Sequence, residues 1–191
     1  MRSAVRKVLL YITALTLMMT PLLGQNKGRQ TVKVKLITKV AHRPVKEMSG
    51  IVKSRRYKDV WWVHNDSGDQ ARLFAINSKG QLIIPSFLTK HYWAGVKESN
   101  KVEWPGLKVE LSANIDWEDI AIDRDTLAIA DLGNNGNARR DLGLYILAEP
   151  NPRAISRCRI QSFLPLRYPD QKSFPARKWH FDCEALFISD G

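Results

Sequence analysis

Carboxylates recur in this sequence at nearly even intervals, each time inside the same short pattern. Glu47-Met48-Ser49-Gly50-Ile51, Asp116-Trp117-Glu118-Asp119-Ile120 and Asp182-Cys183-Glu184-Ala185-Leu186 start 69 and 66 residues apart. Each reads acidic, apolar, polar or acidic, small or acidic, aliphatic, and each opens a strand-like run. Residues two apart in a strand point to the same face, which pairs Glu47 with Ser49, Asp116 with Glu118 and Asp182 with Glu184. Such groups can cap strands and hydrogen-bond backbone amides, hold a cation, or exchange a proton with a substrate. Carboxylates gathered in one place repel unless a cation or bound protons offset their charge. All-oxygen ligands from separate segments suit calcium, which accepts many of them in flexible geometry. No His pair at zinc spacing and no set of thiolates offers a softer site.

Other polar residues are less informative. The loops Asn65-Asp66-Ser67-Gly68-Asp69 and Asp131-Leu132-Gly133-Asn134-Asn135-Gly136-Asn137 carry oxygen donors that suit calcium. The same residues are ordinary turn formers, and neither loop has EF-hand spacing. His64 lies beside Asn65, Asp66 and Ser67, yet neither Ser67 nor Ser49 sits in a Gly-x-Ser-x-Gly elbow. His42, His91 and His180 are isolated.

The elements that must position the acids repeat as well. In the first repeat, 50–53, 60–63, 72–77 and 81–84 read as short strands, with Ser78-Lys79-Gly80 as a hairpin turn. In the second, 120–122, 126–130, 144–147 and 159–164 follow the same order, and Asp66-x-Gly68-Asp69 aligns with Asp131-x-Gly133-Asn134. Repeated four-stranded antiparallel meanders predict an all-β chain and a β-propeller. A sandwich of short strands is the competing architecture, but it gives no reason for acids to recur at equivalent points. The expected boundaries are 47–85 for the first blade, 116–166 for the second and 182–191 for the start of a third. The acids then open the innermost strands, around the mouth of the central channel. Thr31-Val32-Lys33-Val34-Lys35-Leu36 alternates and is expected to pair as the outermost strand of the last blade. Asp190-Gly191 reaches a hairpin turn with no returning strand, which predicts further blades. Between the two repeats, 86–114 is long for a connection. It is either a functional loop or an insertion that extends a blade edge with its own aromatics.

Composition narrows the setting. Arg2, Arg6 and Lys7 precede an apolar run, 8–19, and a small-residue site near Gly24, which predicts a signal peptide over 1–24 and an exported or periplasmic protein. No integral span is expected in the mature chain. The net charge is +11, but Lys and Arg are dispersed, which argues against nucleic acid as a partner. A small molecule or an anionic envelope polymer is compatible with it. Cys158 and Cys183 form either a disulfide or two buried thiols.

Taken together, Glu47-x-Ser49-Gly50-Ile51, 62–69, 116–121, 131–135 and Asp182-x-Glu184-Ala185-Leu186 resemble a group of secreted bacterial β-propeller proteins. They are similar, more distantly, to the calcium-dependent propellers of the phytase-like and gluconolactonase/paraoxonase-like groups. The resemblance covers 47–191. It implies Glu47, Asp116, Glu118, Asp182 and Glu184 as calcium ligands, Glu118 and Glu184 as catalytic base candidates, and hydrolysis of a phosphate ester, ester or lactone. The alternative it leaves is a propeller that binds a ligand or protein without catalysis.

Overall fold

A computed structural model describes residues 32–178 and 180–189. The N-terminal targeting segment, Thr31 and the Asp190-Gly191 turn lie outside the described residues. The chain divides at Lys35 and Leu36. On the N-terminal side, residues 32–35 form no strand, and Val32 and Val34 are exposed. The expected closing strand is not paired there, and Leu36, across the division, is likewise outside any strand.

The remainder is all-β, with several mostly antiparallel sheets and no α-helix among the described residues. It is built on two meanders. The first comprises β1 (Met48–Lys53), β2 (Trp61–Asn65) and β3 (Arg72–Ile76), each antiparallel to the next. The second comprises β7 (Trp117–Asp123), β8 (Thr126–Asp131), β9 (Gly143–Ala148) and β11 (Ser162–Pro165), ordered β11-β9-β8-β7. Alternating β-branched and aliphatic residues place Val60, Trp62, Leu73, Trp117, Ile120, Leu127, Ile129 and Leu147 in one buried cluster shared by both meanders. Among the described residues the sheets do not close into a ring.

The outer edge of the first meander departs from expectation. Instead of one returning strand at 81–84, the position beside β3 is filled in two pieces. Leu82 bridges Ile76, and the Ile83 amide donates to Ala75 O at 2.8 Å before Pro85 turns the chain away. β6 (Leu107–Glu110) then pairs with the other half of β3, Arg72 opposite Lys108 and Leu73 opposite Leu107. β10 (Arg157–Arg159) adds a fifth strand parallel to β6. Gly106 makes the re-entry possible: its φ is +94°, and a Cβ there would press on the Phe74 ring.

The segment between the two pieces packs on the sheet. It carries β4 (Tyr92–Trp93) and β5 (Val102–Glu103), paired in parallel. Trp104 is buried with Val63, Phe74 and Ile76, and Tyr92 meets its ring edge-on at 5.2 Å. Buried His42 is seated against Phe74 and Trp93, and its Nε2 donates to Trp104 O at 2.8 Å. Both cysteines are free thiols, which removes the disulfide. Cys158 packs on the main core, and burial pushes its thiol up to about 12.

Candidate functional site

The acidic motifs open β1 and β7, and both strands carry a β-bulge at the same place. Met48 pairs with Asn65 and Ile51 with Val63; Trp117 pairs with Asp131 and Asp119 with Ala130. An extra residue therefore lies between the first and last partners in each case, which re-aims the side chains of Ser49 and Glu118. Simple alternation across the motif does not hold. Asp116 and Glu118, two residues apart, nevertheless converge there as their spacing predicts.

The matching strand ends also shift the loop alignment. Asn65 occupies the place of Asp131, opposite the second motif residue in both repeats. The Asp66 amide donates to Glu47 O, and the Gly133 amide donates to Asp116 O. Asp66 thus stands where Gly133 stands, not where Asp131 does.

Adjacent motifs are stitched by equivalent positions. Ser49 Oγ donates to Glu118 O at 2.6 Å, joining the third residues of the first two motifs. Gly50 approaches Ile120 so closely that a Cβ would lie 2.9 Å from the Ile120 amide nitrogen. One repeat further on, Asp119, at the place of Gly50, accepts the Leu186 amide on Oδ2 at 2.7 Å. The third motif is held by the loop after β8. Asn134 donates its amide to Asp182 Oδ1 and its Nδ2 to Phe181 O, while Asn137 Oδ1 accepts the amides of His180 and Phe181.

These contacts assemble a five-carboxylate cluster. Oxygens of Asp66, Asp116 and Glu118 lie within 4.8 Å of one another, as do oxygens of Glu118, Asp182 and Glu184. Glu118 belongs to both groups and is 4% exposed. Burial, and then the neighbouring Glu184 with Asp66 and Asp116, push its carboxyl up to about 8. Burial also raises Asp116, with Asp66 and Asp182 adding to it, against Asn135 and Arg139. Gly133 completes the wall: a Cβ there would overlap Glu118 Oε1 and the Asp116 carboxyl. Such a cluster can hold a metal ion, because its donors are all oxygen and its uncompensated charge favours a cation. The residues present fit the calcium that the resemblance implied.

Of the residues expected from sequence, Asp116, Glu118, Asp182 and Glu184 meet here. Glu47 does not: it is exposed and lies outside both groups. Asp66 takes part instead; the sequence marked it as one of several loop oxygen donors suited to calcium, in a segment of ordinary turn residues. The other loop donors are engaged structurally. Asp131 Oδ1 accepts the Asp116 amide and Arg139 Nη1. Asp69 pairs with Arg72 and Asn65, and Asn134 and Asn137 hold the third motif. His64 is fully buried, donating from Nδ1 to Asn65 O at 2.9 Å and packed edge-on to Trp117. No described helix is long and apolar enough to cross a membrane. Compared with protein-family models, curated proteins and solved structures, the chain matches none.

Proposed function

We propose an exported β-propeller that binds calcium at the Asp66–Asp116–Glu118–Asp182–Glu184 cluster. The observation that carries the proposal is Glu118. It is a nearly buried carboxyl facing acids from the second and third motifs and from the loop after β2, and its proton is retained to about pH 8 unless a cation takes its place. The propeller reading is supported by the repeated stitching of successive motifs, Ser49 to Glu118 and Asp119 to Leu186. In such a ring, an ion held by acids from several repeats ties neighbouring units together. Asp66, Asp116 and Glu118 would hold it from one side, and Asp182 and Glu184 from the other. A bound calcium supplies Lewis acidity for polarising a phosphoryl or carbonyl oxygen.

A second reading assigns proton transfer in an ester, phosphoester or lactone hydrolysis to the Glu118–Glu184 pair. A carboxyl with its pKa near 8 is matched to general acid–base work at neutral pH. The ligand would be a small molecule or an envelope polymer. Replacing Glu184 with Gln separates the readings, using p-nitrophenyl acetate and p-nitrophenyl phosphate as probes. Lost turnover with calcium affinity retained supports catalysis. A loss of affinity and thermal stability, with no turnover in the parent, supports a structural ion in a binding protein.

A further inference from the structure

A cleft of about 410 Å³ lies between the loop after β8 and the chain following β11. Arg139, Arg140, Arg167 and Lys172 line it, with Tyr168 and Phe174, and no carboxylate is among its lining residues. From these groups we infer an anion-binding site for an oxyanion carrying two negative charges, a phosphate group in the first instance.

Three of the four charges, those of Arg140, Arg167 and Lys172, are not spent on ion pairs among the described residues. Arg139 is paired with Asp131 at 2.9 Å and with Asp141 at 3.1 Å, yet its Nη2 has no hydrogen-bond partner. Arg140 and Arg167 make no ion pair among the described residues. Arg140 instead lies over the Phe174 ring at 4.0 Å, which fixes the plane of its guanidinium. Lys172 donates to Pro169 O, which tethers the ammonium without neutralising it. A planar, pre-fixed guanidinium recognises a phosphate through paired N–H donors. Cations left without counter-charges favour a dianion over a monoanion. The cleft falls within the size range of small-ligand sites. It adjoins the acidic cluster through Arg139, since the Asp131 oxygen that Arg139 holds also accepts the Asp116 amide.

The site does not depend on calcium, so the test is made on metal-stripped protein in chelating-resin-treated buffer at constant ionic strength. Inorganic phosphate, glucose 6-phosphate, dimethyl phosphate and acetate are titrated calorimetrically into the parent protein and into Arg140→Gln and Arg167→Gln. Both substitutions fall on exposed arginines without ion pairs, and circular dichroism checks the fold. The expected result is saturable binding of the two dianions, at least tenfold weaker in each variant and undetectable in the pair. Glucose 6-phosphate tighter than inorganic phosphate indicates a phosphorylated small molecule, and the reverse indicates the free ion. Equal binding of acetate or dimethyl phosphate, or phosphate affinity unchanged in the double variant, overturns the assignment. So does the absence of saturable binding in the parent.

Discussion

Replacing Glu118 with Gln isolates the electrostatic cost of the acidic cluster. In metal-free protein the folded carboxyl holds its proton to about 8, whereas the unfolded chain releases it near the ordinary 4.5. A raised folded pKa contributes stability that is complete below pH 4.5 and is lost as pH rises through 8. Within that window each pH unit weakens folding by at most about 1.4 kcal/mol, a ceiling of about 5 kcal/mol. Glu184 is exposed, and water screens its part of the repulsion, so roughly half that ceiling is expected. The assay is urea unfolding followed by tryptophan fluorescence, from pH 5 to pH 9 in chelator. The parent should lose about 2–3 kcal/mol relative to Glu118→Gln across the range. Groups common to both proteins cancel in the difference. Excess calcium should reverse the order, because the ionised carboxylates then gain a ligand that the amide holds poorly. Parallel pH profiles of the two proteins in chelator would refute the reasoning.

Three further outcomes follow from local geometry. Gly133→Ala sets a Cβ against Glu118 and Asp116 and should cost about 1–3 kcal/mol, while Gly136→Ala, in open space, should be near neutral by thermal melting. Burial lowers the pKa of His42 below its usual 6.5, so stability is complete above pH 6.5 and declines as pH falls through the folded value. The slope is at most about 1.4 kcal/mol per pH unit, and His42→Gln should flatten it in acid urea titrations. Asn137→Ala removes the acceptor for the amides of His180 and Phe181, just before the third motif. Hydrogen exchange at His180 and Phe181 should quicken at least tenfold, with β8 and β9 unchanged.

β7, β8 and β9 of the second meander were legible because short aliphatic runs there alternate with clear turns, such as the Arg124-Asp125 turn between β7 and β8. The expected fourth strand, 159–164, is instead split: Arg159 ends β10 in the other sheet and β11 begins at Ser162. The first meander was harder. Gln81-Leu82-Ile83-Ile84 has strand composition and does begin to return, but Pro85 ends it, and the pairing partner comes back only at Leu107. Nothing in local composition says that one strand position is shared by pieces so far apart; that depends on Trp104 being buried, with Tyr92 half-buried against it, in the excursion. The acids were visible as a repeat. Their selection was not, since β1 and β7 carry equivalent bulges and only the tertiary placement of each acid decides which of them meet. Glu47 looked equivalent to Asp116 and is exposed, while Asp66, one of several loop donors that sequence could not rank, lies in the cluster. Asn134 and Asn137 illustrate the same limit: buried loop amides orient the third motif, a role that only tertiary hydrogen bonds reveal.

The central claim is that Asp66, Asp116, Glu118, Asp182 and Glu184 together hold calcium. Calorimetric titration of calcium into chelator-stripped protein tests it most directly, with Glu47→Gln and Asp116→Asn measured alongside. The account predicts saturable binding at one ion per chain, unchanged by Glu47→Gln and at least tenfold weaker in Asp116→Asn. Absence of saturable binding in the parent, or equal affinity in parent and Asp116→Asn, would contradict it.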